Sequence, residues 1–169
     1  IRLYARRRSA ANISKLYDAL VKAAQSPRER AESLTVRAEL LEDRLGDPAA
    51  ARELYESAVG ADPEYRVAWL DLYRTSLRGD DGADRVRALT RLAELTRDDE
   101  WRSLLLLDLA AEHARGAAPA DLDEASRCIR EAAGLSQGRW RALVALERLG
   151  ELHDRHGDLV DALEGRAHL

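Results

Sequence analysis

The stretch LGDPAAARELYESAVGADPE, residues 45–64, decides the fold. Gly46 and Asp47 read as the end of one helix and the start of the next. Glycine accepts the positive φ that closes a helix, and aspartate accepts a hydrogen bond from the free N–H groups that open one. Pro48 suits the first helical position, where a missing donor costs nothing. Ala51, Tyr55 and Ala58 follow at steps of four and three, which puts them on one helix face. The alanines let a neighbouring helix approach closely, and Tyr55 fills the space between. Asp62-Pro63 then reads as a second N-cap followed by a first-turn proline.

Working outward, alanine recurs at 51, 88, 125 and 162, a spacing of 37 each time. Three of the four open the same short pattern: Ala51, Tyr55, Ala58; Ala88, Leu92, Leu95; Ala125, Ile129, Ala132. The fourth is irregular, since Arg166 stands four residues after Ala162. A second apolar face precedes each: Leu34, Ala38, Leu41; Trp69, Leu72, Tyr73; Leu106, Leu109, Ala110, His113; Leu146, Leu149, Gly150, His153. Turns are expected between them at Gly46-Asp47, Gly79-Asp80, Gly116 to Pro119 and Gly157-Asp158. Ser26-Pro27-Arg28-Glu29 reads as a capping box, and Asp121 with Glu124 as another. No stretch sustains two-residue alternation, so no strand is expected.

The repeating unit is therefore helix, turn, helix, turn, about 34 to 40 residues long. The expected fold is all-α: an α-solenoid of antiparallel helix hairpins. About four repeats fall at 28–63, 64–97, 98–135 and 136–169, after a partial unit at 1–27. Leu3-Tyr4-x-Arg6 reads as a first helix caught midway, and neither end carries a polar capping helix, so the chain reads as a slice of a longer array.

Leu146-x2-Leu149-Gly150-x2-His153-x3-Gly157-Asp158-x3-Ala162 resembles the tetratricopeptide (TPR) repeat. So does Gly46-Asp47 followed by Ala51, Tyr55, Ala58 and Pro63. The resemblance runs from about residue 28 to the end and extends to the long, irregular TPR arrays of large bacterial proteins. It departs from the family in three ways: repeat lengths above about 34, a second hairpin without the Ala/aromatic/Ala set, and a longer third turn. The resemblance implies a TPR-like superhelix whose first helices line a concave groove for peptides or helices.

Composition excludes several classes. With 46% apolar and 34% charged residues the chain is globular and not disordered. No apolar run approaches the roughly 18 residues that span a bilayer. A net charge of −4 argues against a general nucleic-acid binder. Basic charge is almost all arginine, with lysine only at Lys15 and Lys22, a composition associated with GC-rich bacterial genomes. The single Cys128 excludes an internal disulfide. With no targeting segment in view, a cytoplasmic location is the expectation.

No P-loop, Rossmann glycine set, nucleophile elbow or His-Glu-x-x-His is present, so no enzyme, cofactor or metal is expected. His153-x2-His156 with Asp154 and Asp158 reads as structural: His153 as a packing residue, and His156 as a helix-end cation. Cys128 reads as a buried, inert thiol, and Arg6-Arg7-Arg8 as a solvated helix end. Trp69, Trp101 and Trp140 read as helix-to-helix packing.

In the frame the resemblance implies, the groove is lined by Glu32, Thr35, Glu39 and Glu42, then by Val67, Leu70, Arg74 and Leu77. It continues through Leu104, Leu107, Ala111 and Ala114, and ends on Val144, Glu147, Glu151 and Asp154. Its core candidates are Leu70, Arg74, Leu77, Leu104, Leu107, Glu147 and Glu151. An apolar middle with acidic ends fits a peptide or amphipathic helix with apolar anchors and basic flanks. A carboxylate clamp for acidic chaperone tails is disfavoured, because asparagine occurs only at Asn12 and lysine stops at Lys22. The expected function is a protein–protein interaction scaffold. Two rivals remain open: a self-associating architectural spacer, and a regulatory module of a larger enzyme or sensor.

Overall fold

A computed structural model describes residues 2–79, 81–116, 118–135 and 138–168, with side chains from Asn12 onward except Ser14. Among the described residues there are nine α-helices, one π-helical turn and no strand. They fall into two compact units, residues 1–81 and 82–169. The Arg6-Arg7-Arg8 expectation falls on side chains outside the described ones, although its backbone is helical.

In the first unit α1 (Arg2–Ala23) packs on α2 (Pro27–Leu40). A π-helical turn (Leu41–Leu45) extends α2, and α3 (Pro48–Ala61) and α4 (Arg66–Ser76) follow, each packed on the helix before it. The caps explain where the helices begin and end. The Ser26 side chain accepts from the Glu29 N–H at 3.1 Å, and the Glu29 carboxylate accepts from the Gln25 N–H at 2.8 Å. Gly46 takes φ 67°, so the chain reverses there without strain. Asp47 accepts from the Ala50 N–H at 3.0 Å, with Pro48 just inside α3.

The alanine stripe is the core. Ala51, Tyr55 and Ala58 are fully buried against α2, which contributes Ala31, Leu34 and Ala38. Asp62-Pro63 does not open α4. The Asp62 backbone N–H closes α3 on Ala58, while its side chain accepts from the Glu64 N–H at 3.0 Å. The resulting turn delays α4 to Arg66, and the Trp69 indole pins it by donating to the Pro63 carbonyl at 2.9 Å.

In the second unit α5 (Gly82–Leu95), α6 (Asp99–Gly116), α7 (Pro119–Gly134), α8 (Arg139–Leu152) and α9 (His156–Ala167) pack each on the next. Ala88, Leu92, Ala125, Ile129, Ala132 and Ala162 are all buried, so the 37-residue spacing marks one packing position four times. Arg166, the irregular residue, lays its guanidinium over the Trp140 ring at 4.7 Å. Asp121 does not cap α7. Ala118 holds that place, Pro119 starts the helix, and Asp121 lies within the first turn. Gly157 is not the α8–α9 turn either, but sits inside the first turn of α9. The reversal falls at 153–155, where Asp154 takes φ 53°. Aspartate tolerates that region better than most residues. His156 consequently opens α9 and does not close α8. Trp69 packs as expected, but Trp101 and Trp140 are 65% and 53% exposed.

Candidate interaction site

Three buried carboxylates needed partners, and two found full sets. In the first unit Glu42 stands in the π-helical turn with its side chain 4% exposed. Arg74 donates to it at 2.8 Å, Arg78 donates to its other oxygen, and the Tyr55 hydroxyl donates at 3.3 Å. A π-helical turn widens the helix by one residue, and here it sets this acid among its donors. Asp71 is less well served. Arg74 lies 3.3 Å from one oxygen, and the other is buried with no hydrogen-bond partner. Burial, with Glu39 and Glu42 nearby, outweighs Arg74 and pushes the Asp71 carboxyl up to about 6.

That shift has a sign in stability. A carboxyl raised from 3.8 to about 6 favours the folded state below 3.8, and the advantage is lost as pH rises through 6. Its ceiling is about 3 kcal/mol. Asp71→Asn is expected to stabilise the first unit by about 1–2 kcal/mol at pH 7.5 and to flatten its stability between pH 4 and 7. Urea unfolding across that range checks it, and a loss at pH 7.5 would mean that the Asp71 charge is net favourable.

In the second unit Asp158 is 2% exposed and accepts three hydrogen bonds at 2.6 Å, from Ser126, Arg130 and Arg155. Burial pushes its carboxyl up, but the Ser126 and Arg155 hydrogen bonds and the two guanidinium charges more than reverse this, leaving it lowered. Cys128 is buried, and burial pushes its thiol up, away from the reactive thiolate. Among the described residues no group of histidines, cysteines and acids has metal-site geometry, and no helix is long and apolar enough to cross a membrane.

The expected groove residues separate into distinct environments. Leu70 on α4 and Leu77 at its C-cap are 54% and 55% exposed, with Val67 on the same face. Arg74 between them is committed to Glu42 and Asp71. Glu32 pairs with Arg28, and Glu39 is half-buried. Thr35 and Glu42 do not line a surface: both are buried, because α3 and the ion-pair cluster cover that side of α2. On α6, Leu104 and Leu107 are half-buried. On α8, Glu147 pairs with Arg166 of α9 and Glu151 is exposed; Asp154, in the reversal after α8, is exposed too.

A cavity of about 390 Å³ opens between α6, α7 and α8. Its α6 wall is Leu107, Ala110, Ala111 and Ala114, one helical strip in which three alanines leave the hollow. Its α8 wall is Ala145, Arg148, Leu149 and Leu152, with Ile129 of α7 also lining the cavity. Ala145, Arg148 and Leu152 stand one position beyond Val144, Glu147 and Glu151. One residue is a rotation of about 100° on a helix, enough to exchange an acidic edge for a basic one. Arg115, Arg148 and His153 also line the cavity, and no acid does. That charge pattern had no signal in the repeat spacing.

No family model matches the chain, and no curated protein matches it. Among solved structures, the crystal structure of MamA, a TPR-like protein, superposes with a TM-score of 0.55 at 20% sequence identity. The match covers 92% of this chain and 87% of MamA. At this identity the likeness concerns the fold, and the fold of this chain is a TPR-like, all-α helical repeat of the α-solenoid class.

Proposed function

We propose that this protein is a protein–protein interaction scaffold that holds a peptide or amphipathic helix with apolar anchors, by binding and without chemistry of its own. The observation that carries the reading is the apolar cavity between α6 and α8, bordered by Leu107, Ala111 and Ala114. A hollow lined mainly by leucine and alanine is the usual form of an anchor pocket. The proposed contact residues in the second unit are Leu104 and Leu107 on α6 and Glu147 and Glu151 on α8; in the first unit, taken by itself, they are Leu70 and Arg74 on α4 and Leu77 at its C-cap.

Photo-crosslinking tests this with the full chain. A benzophenone amino acid at Leu107 or Leu152 is expected to label a partner protein. The same group at Arg127, on the exposed side of α7, is expected not to. Labelling from Arg127 alone would move the interaction to the opposite face. Once a partner is in hand, Leu70→Asp and Leu107→Asp should each weaken its binding by about tenfold or more, by setting a charge in an apolar contact. Glu151→Lys should alter it less and in a salt-dependent way. Glu147 is the poorer probe, because its reversal also breaks the pair with Arg166.

Self-association is the second reading, favoured by Ile13, Leu16 and Leu20, which are 40%, 59% and 44% exposed along one face of α1. Sedimentation velocity over a wide concentration range separates the two, since the scaffold should remain monomeric while the spacer should grow.

A further inference from the structure

We propose that the α6–α8 cavity selects a protein segment in which one large apolar side chain is flanked by carboxylates. This deepens the scaffold reading and rests on it. Leucine and alanine side chains line the hollow, so the anchor is apolar. Its volume, about 390 Å³, accommodates a leucine, phenylalanine or tryptophan side chain with some of its backbone.

The charge at the opening sets the flanks. The chain as a whole carries −4, yet two arginines and a histidine line this cavity and no acid does. Arg148 has no ion-pair partner among the described residues. Arg115 has only a share in one: its carboxylate, Glu112, also accepts from the buried Arg85 at 2.8 Å. On α8, Glu147 is spent on Arg166, and Glu151, three residues beyond Arg148, is exposed and does not line the cavity. Arg148 is solvent-exposed, so its charge is hydrated until a partner arrives. A carboxylate beside the anchor gains a charge-assisted hydrogen bond there, while an ammonium in the same place meets like charge.

The test uses the full chain and acetylated, amidated fluorescent peptides of about eight residues. Each has a central Leu, Phe or Trp, flanked either by glutamates or by lysines. Anisotropy titration is expected to show the glutamate series binding at least about tenfold more tightly. Arg148→Glu should reverse that order. Ala111→Trp should fill the hollow and abolish binding of both series. Both positions are exposed, so the helical circular dichroism signal should be unchanged in each variant. Equal or tighter binding of the lysine series, still blocked by Ala111→Trp, overturns the acidic flank and leaves the scaffold reading standing. Binding indifferent to Ala111→Trp, or no binding of either series at millimolar peptide, overturns both.

Discussion

Asp158→Ala is expected to destabilise the second unit by about 2–3 kcal/mol. The wild-type carboxylate is 2% exposed and satisfies Ser126, Arg130 and Arg155 together. Removing it strands a buried hydroxyl and leaves two guanidinium groups without their common anion. A fully buried pair broken in this way costs about 3–5 kcal/mol. The lower value applies because Arg130 and Arg155 remain 45% and 26% exposed and can turn to water, and Arg130 keeps Asp161 at 2.7 Å. Asp158→Asn should fall between, retaining a partner for Ser126 but not the charge. The lowered carboxyl also fixes the pH behaviour. Its contribution is full above the ordinary value of 3.8 and disappears as pH falls through the folded-state value below it. The gap between wild type and Asp158→Ala should therefore close in strong acid. Urea unfolding at pH 7 and pH 2.5 measures both effects, and a loss under about 0.5 kcal/mol at pH 7 would mean that the cluster adds nothing net.

Gly150→Ala is expected to be destabilising by about 2 kcal/mol, although helix propensity alone argues for a gain of about 1 kcal/mol. Gly150 lies inside α8, where alanine is ordinarily the better residue. Here a Cβ would stand 2.9 Å from the Leu159 backbone nitrogen and 3.1 Å from the Arg155 carbonyl oxygen. Both neighbours are backbone atoms at the start of α9, so neither can rotate away. The methyl can fit only by moving α9, which carries Asp158 and the buried Ala162. Thermal unfolding of the second unit decides it: a raised melting temperature would mean that the two helices have slack.

Much of this was legible in the residues, and for a local reason. Helix periodicity, the Ser26 and Asp47 caps and the Gly46 reversal depend on neighbours within four positions. The alanine stripe was legible too, because the same close approach recurs every 37 residues and only small side chains permit it. The cap assignments at Asp62, Asp121 and Gly157 failed where two local options competed and tertiary packing chose between them. At Asp62, for instance, the Trp69–Pro63 hydrogen bond favours a turn over an immediate helix start.

The chain by itself thus determined the helices, their pairing face and the repeat. Only the tertiary structure decided which charges are buried and which residues form the opening of the cavity. Glu42 meets Arg78 across 36 positions, and Asp158 meets Ser126 across 32. No periodic signal carries such pairings, since they depend on where distant turns bring side chains together. The same holds for the cavity. A helix rotation of about 100° separates Glu147 from Arg148, and no sequence spacing fixes that angle. It is set by the packing of Ala142, Leu143, Leu146 and Leu149 in the core.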